Sequence, residues 1–177
     1  MKKYTKHKTL LLCLILVSLL FTACKDKGNE EVKQPTATTT ALEGTWVYST
    51  NITTSQTMAA TLVFSGANFS SATVVSNTAY PDPSDASIVG TETNTISMAG
   101  TFKINNNQIL VTPTTASDIT ANTVDPSRVN SQTGNNALPT GYTIGQEASL
   151  GTFILNGNTL SLTSPGNSSA LPFNKQQ

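Results

Sequence analysis

One segment of this chain occurs twice, and the repetition narrows the fold more than anything else in the sequence. Gly100-Thr101-Phe102-Lys103-Ile104-Asn105-Asn106-Asn107-Gln108-Ile109-Leu110-Val111-Thr112 is matched by Gly151-Thr152-Phe153-Ile154-Leu155-Asn156-Gly157-Asn158-Thr159-Leu160-Ser161-Leu162-Thr163. In both copies apolar residues recur at every second position on either side of a short Asn/Gly break, the period of a strand with one buried face. Asn and Gly tolerate the positive φ of a tight turn, so each copy is a β-hairpin turning at Asn105 to Gln108 and at Asn156 to Thr159. The register follows: Ile104 opposes Ile109 and Phe102 opposes Val111, while Leu155 opposes Leu160 and Phe153 opposes Leu162. Opposed residues share a sheet face, which makes one side of each hairpin apolar. A third, less similar hairpin runs from Leu62 to Phe69, with Phe64 opposite Phe69.

The parity of Phe102 continues upstream through Gly100, Met98 and Ile96, which predicts one long strand over Thr93 to Ile104, bent where Gly100 lacks a side chain. Upstream of Phe153 the parity changes. Tyr142, Ile144, Ala148 and Leu150 are even and Phe153 and Leu155 odd, which predicts a bulge near Gly151. With Gly44 to Thr50 as the first strand, the chain holds about seven or eight antiparallel strands and no amphipathic helix. Closing such a sheet removes its exposed edges. The expected fold is therefore all-β, an antiparallel up-and-down barrel, with a two-sheet β-sandwich as the alternative. Pro113 to Gly141, rich in Thr, Ser, Asn and Pro, reads as a long loop between the repeated hairpins, and loops of that length commonly carry function. Arg128 lies within it beside Asp125 and Pro126 and reads as half of a turn ion pair, the alternative being a contact for an anionic group on a partner.

The N-terminus has a different composition. Lys2, Lys3, Lys6, His7 and Lys8 precede an uncharged apolar run from Leu10 to Phe21. A membrane-spanning helix needs about 20 apolar residues, so this shorter run behind a basic start reads as a secretory signal, residues 1–23. Leu20-Phe21-Thr22-Ala23-Cys24 resembles the lipobox of bacterial lipoproteins, which implies a diacylglycerol on the thiol of Cys24 and cleavage before it. Cys13 leaves with the signal, so no free thiol remains for a disulfide or a metal. Each buried methylene of an acyl chain contributes about 0.8 kcal/mol, and two or three chains hold a protein firmly on a membrane. Lys25 stands where an aspartate would resemble an inner-membrane retention signal, so the expected location is the outer membrane. Residues 24–41, almost without hydrophobic side chains, read as the lipidated end and a flexible tether. The folded domain is then 42–177.

Gly44-Thr45-Trp46 opens the first strand as the Gly-x-Trp motif opens lipocalins, and the later Gly-Thr-Phe hairpins resemble those of small lipocalin-like bacterial lipoproteins. The resemblance implies an up-and-down barrel whose Trp closes the floor and whose interior takes an apolar ligand. No arginine near the C-terminus stands ready to cover Trp46, and no helix is expected after the last strand. On either reading Trp46, Phe64, Phe69, Phe102, Ile104, Phe153 and Leu155 point inward, where they line a ligand cavity or fill a core.

Catalytic chemistry finds little support. His7 is the only histidine and departs with the signal, which removes the usual general base and the commonest transition-metal ligand. Lys103, the base a Ser-Lys pair would need, alternates with Phe102 and Ile104 and reads as an outward residue. Asp82 and Asp85 are spaced to share a hard cation such as calcium, but their Pro-rich surroundings read as an exposed turn. The domain has three basic residues (Lys103, Arg128, Lys175) against seven acidic ones, an excess of four negative charges. That balance disfavours a nucleic-acid partner, which draws on clustered Lys and Arg. Neither an enzyme nor a metal or cofactor site is expected; the expected role is a lipid-anchored binding or surface interaction module, with a carrier or sensor of a small apolar ligand as the alternative. Replacing the anchor residue, Cys24→Ala, is expected to abolish palmitate labelling and to leave the chain unprocessed or released from the detergent-rich phase. Retention of both label and phase behaviour would refute the lipobox reading.

Overall fold

The computed structural model describes residues 39–177, so the expectations for the signal, for Cys24 and for most of the tether lie outside the described residues. Nine strands follow a short helical turn at Thr39–Leu42: β1 (Gly44–Asn51), β2 (Gln56–Ser65), β3 (Asn68–Pro81), β4 (Val89–Asn105), β5 (Gln108–Asn122), β6 (Asn130–Thr133), β7 (Ala148–Asn156), β8 (Thr159–Thr163) and β9 (Leu171–Lys175). Neighbours run in the order β4-β3-β2-β1-β9-β8-β7-β5, and β5 pairs back onto β4, which closes an eight-stranded antiparallel up-and-down barrel. The ninth strand, β6, lies outside that ring, on β5.

The hairpin registers agree with the alternation in the sequence. Phe102 pairs with Val111 and Ile104 with Ile109, Phe153 with Leu162 and Leu155 with Leu160, and Phe64 with Phe69. The turn of the first repeat holds Asn106 at φ 54°, and Gly157 supplies φ 57° in the second.

The repeated Gly-Thr-Phe has a physical cause in the way consecutive hairpins are joined. The Phe102 amide donates to the Ala67 carbonyl in the turn between β2 and β3 (2.9 Å), and the Phe153 amide to the Asn107 carbonyl in the next turn (2.7 Å). Lys175 repeats the contact on Asn158 at 2.8 Å. Each turn is thereby fastened to the following hairpin or strand, and in the two repeats the preceding glycine lets the two strands of its own hairpin approach. A Cβ on Gly100 would run into the Thr112 carbonyl, and one on Gly151 into that of Thr163.

Both glycines also adjoin irregularities. Gly100 pairs with Pro113 and Ala99 with Thr115, so Thr114 is the extra residue of a bulge on β5. A proline lacks the N–H a regular ladder needs, and a bulge is where a strand tolerates one. Thr114 Oγ1 donates to the Ala99 carbonyl at 3.3 Å. On β7 the register shifts between Ser149 and Gly151, as the change of parity predicts, with Gly151 at φ 149°.

Two expectations fail, for related reasons. The stretch Pro113 to Gly141 is not one loop: β5 runs on to Asn122, and Asn130–Thr133 returns as β6. Its Thr, Ser and Asp residues disguised a strand because the face they line is wet instead of apolar. Conversely Tyr142 and Ile144, which share the parity of Leu150, lie before β7 outside any strand, and Tyr142 instead packs on the core and donates its hydroxyl to the Ser149 carbonyl at 3.1 Å.

The core fills one end of the barrel. Trp46, Phe64, Phe69, Phe102, Phe153 and Phe173 are buried together with Ile109, Val111, Leu160 and Leu162, and the Phe64 and Phe102 rings lie 4.8 Å apart. Ile104 and Leu155 are half-buried at its edge. Lys103 points outward and pairs with Glu147 at 2.7 Å on the surface. Truncating a buried ring leaves a cavity, so Phe102→Ala or Phe153→Ala is expected to cost about 3 to 5 kcal/mol in urea unfolding. Lys103→Ala, losing only an exposed ion pair, is expected to stay within about 0.5 kcal/mol, and equal losses at positions 102 and 103 would contradict the register.

Candidate functional site

The two ends of the barrel differ, and the difference starts at Trp46. Its side chain is fully buried, its indole N–H donates to the Leu42 carbonyl at 2.7 Å, and Leu42, also fully buried, caps the floor from the helical turn. Lys175 lies over the indole, its ammonium 5.2 Å from the ring centroid. No arginine was in prospect for that position; a lysine from the last strand takes it. Gly44, at φ 119°, makes room: a Cβ there would stand 2.8 Å from the Lys175 Cε. Glu43 completes the floor by accepting the Gly66 amide at 2.7 Å. This end is closed by side chains, and the aromatic residues read from the sequence as cavity or core are brought together here as mutually packed core.

The opposite end is open and polar. β3, β4 and β5 are 14, 17 and 15 residues long, whereas β8 and β9 have five each. β9 meets β1 only at Trp46 and Val47, and β7 meets β5 only along Gln108–Val111. Beyond that level β1 to β5 continue as a curved sheet, with β6 on β5 from Ser117 to Thr120. At that level no strand stands between β6 and β1; the chain after β6 turns through Gly134–Ala137 against β5, and Leu138 and Tyr142 beyond it pack on the core.

Because paired residues share a face, the inner surface of that half-barrel can be read across the strands. The first row above the core is Tyr48, Ala60, Thr73, Ile96, Asp118 and Gln132. The second is Thr50, Met58, Val75, Asn94, Thr120 and Asn130. Asn94 Nδ2 donates to Asp118 Oδ1 at 2.7 Å and to Thr120 Oγ1 at 3.0 Å. Higher still, Asn122 Nδ2 donates to Glu92 Oε2 at 3.1 Å, and the Arg128 guanidinium grips both Glu92 oxygens while lying 5.0 Å from the Tyr80 ring centroid. The partner of Arg128 is thus Glu92, 36 residues away, and not the neighbouring Asp125. Asp125 is buried and instead accepts the Ser127 amide and hydroxyl at 3.1 and 2.6 Å.

Charge on these groups follows from their partners. The hydrogen bonds to Glu92 hold the Arg128 pKa above its ordinary value. The Ser87 hydroxyl and amide keep the Asp85 carboxyl below the usual range, and burial pushes the Tyr142 phenol up. Asp82 caps its own turn by accepting the Ser84 and Asp85 amides at 2.7 and 3.2 Å. Both aspartates serve turns, and among the described residues no three His, Cys, Asp or Glu side chains stand close enough to hold a metal ion.

Two shallow concavities lie on the outer wall. One, of about 340 Å³, is bounded by Thr152, Ile154, Ser161 and Thr163, and the other, of about 210 Å³, by Thr101, Lys103, Leu110 and Glu147. The polar groups of the second are the Lys103–Glu147 ion pair with Thr101 and Thr112, and the first is lined by threonines, a serine and an asparagine beside Phe153 and Ile154. The inner polar wall is not legible in the sequence because Asp118, Thr120 and Arg128 fall in a stretch with polar residues on both parities, which leaves no apolar period to mark a strand.

The grip on Glu92 anchors the chain that leads into β6. Arg128→Ala is expected to lower stability by about 0.5 to 1 kcal/mol, the pair being partly exposed, and to speed amide exchange in Asn130–Thr133 while β2 and β3 remain protected. Unchanged exchange in β6 would show that Arg128 does not hold it. No family model, no curated protein and no solved structure matches this chain, so the geometry of its two unlike ends carries the functional reading.

Proposed function

We propose that this chain is a lipid-anchored envelope lipoprotein of the small lipocalin-like kind, attached to the outer membrane through Cys24, whose barrel presents a binding surface at its open end. One observation carries the reading: the side chains that would have to line an apolar cavity form the packed core of one end, while hydrogen-bonding side chains line the other. A rigid floor and pre-organised polar groups on strands are what a recognition surface requires.

The direction of the barrel supports the same reading. Thr39–Leu42 lies at the closed end, so a tether from Cys24 arrives there and the open end points away from the anchor. The chain from Cys24 to Thr39 reaches at most about 54 Å when extended. That length lets the domain stand clear of the lipid surface and turn its open end toward an incoming partner. No step of this role needs catalysis.

The competing carrier of an apolar ligand makes a different prediction for the purified protein. Organic extraction of the detergent-solubilised full chain, followed by mass spectrometry, is expected to release the acyl groups of the anchor and no other molecule in stoichiometric amount. A stoichiometric lipid or other apolar compound, retained in the Cys24→Ala chain, would make the protein a carrier.

A further inference from the structure

The open end combines two surfaces that no single simple ligand class, apolar or ionic, would satisfy. On β2, β3 and β4 the inner wall offers Met58, Val75 and Ile96, with Thr73 among them and Ala60 buried beneath in the core. Beside this apolar strip, on β4, β5 and β6, stand Asn94, Asp118, Thr120 and Gln132. Tyr48 flanks the apolar strip on β1, tilted against Phe173 with the ring centroids 5.8 Å apart.

Asn94 commits both hydrogens of its amide within the wall, one to Asp118 Oδ1 and one to Thr120 Oγ1. What it offers a ligand is its carbonyl, and Asp118 adds carboxylate acceptor capacity. The strip therefore asks for a ligand rich in donors. It does not ask for an anion, because each cation of the described residues is engaged elsewhere: Arg128 by Glu92, Lys103 by Glu147 on the outer wall, and Lys175 over Trp46 at the far end. An acyl chain laid here would dehydrate the Asn94 carbonyl and the remaining acceptor sites of the Asp118 carboxylate without replacing their water, at a cost of about a few kcal/mol.

A pyranose has the matching pair of surfaces, C–H faces that pack on aliphatic and aromatic side chains and hydroxyl edges that donate to carbonyls and carboxylates. No strand stands between β6 and β1 at this level, and that is the side from which a chain of such rings would enter. We propose that the open half-barrel binds a neutral oligosaccharide, with Met58, Val75 and Ile96 under the ring faces and Asn94 and Asp118 receiving hydroxyl protons. This assignment rests on the reading of the open end as the binding surface and adds the class of ligand.

The test uses the full chain in a polyoxyethylene detergent, which carries no sugar headgroup to compete. Calorimetric titration would be run with cellohexaose, maltohexaose and mannohexaose as neutral probes, hyaluronan hexasaccharide as the anionic probe, and octalysine as the cationic peptide. At least one neutral hexasaccharide is expected to bind. Asp118→Asn, which keeps the shape of the side chain and removes its charge, is expected to weaken that binding about tenfold, one hydrogen bond to a charged group. Asn94→Ala is expected to weaken it comparably, and Thr95→Ala, one residue along on the outer face, to leave it within about twofold; a thermal melt of each variant confirms that the barrel is intact. Failure of all three neutral probes, or binding indifferent to both Asp118→Asn and Asn94→Ala, would overturn the proposal. Octalysine binding that Asp118→Asn abolishes, with no sugar bound, would overturn the ligand class and keep the open end as the binding surface. A stoichiometric apolar molecule in the organic extract would instead overturn the reading on which both rest.

Discussion

Trp46 is the piece on which the closed end of this barrel depends, and its setting shows why a motif as short as Gly-Thr-Trp suffices. An indole buried without a partner for its N–H would forfeit much of what its burial gains. Here the Leu42 carbonyl takes the proton, and Leu42 is brought there by a helical turn lying just outside the strands. The face of the ring is covered by the stem and ammonium of Lys175, which Gly44 admits by having no side chain. First strand, last strand and preceding turn thus meet at one side chain, at the level where the short pairing of β1 with β9 joins the two ends of the barrel sequence.

Around the same end the hairpins are fastened in sequence. Carbonyls in three successive turns accept amides from the hairpin or strand that follows, and the first turn is held by the Glu43 carboxylate. The glycines of the Gly-Thr-Phe repeat permit the two strands within each hairpin to approach closely, and the phenylalanines fill the space inside the fastened ring. Such a floor does not rely on the upper wall. The strands β3 to β5 are free to extend beyond it and to carry side chains chosen for reasons other than packing.

The polar upper wall is that freedom put to use. Amides and carboxylates on an inner barrel face are tolerated only when hydrogen-bonded or wet, and here they are both: Asn94, Asp118 and Thr120 bond to one another and Asn122 and Arg128 bond to Glu92, while short β8 and β9 leave the wall open to water. The difference in strand length and the difference in lining are therefore one feature. A wall closed to the top would have buried these groups away from solvent; an apolar lining would have left an open hydrophobic patch, which a monomeric protein rarely exposes.

Much of the lower barrel was determined by the sequence alone. Alternation over the repeated hairpins set the faces of Phe102, Ile104, Phe153 and Leu155, the turn residues set the register, and the change of parity near Gly151 announced its bulge. These are local properties, and a buried face leaves its period in the residues. The upper barrel was decided by tertiary structure. Pro113 to Asn122 looked like loop because a strand with a wet inner face has no apolar period to read, and Pro113 is admissible only through a bulge opposite Gly100. The covering of Trp46 by Lys175 and the capture of Arg128 by Glu92 join residues far apart in the chain. Neither pairing leaves a local signature, because nothing but the closure of the barrel and the return of β6 brings those side chains together.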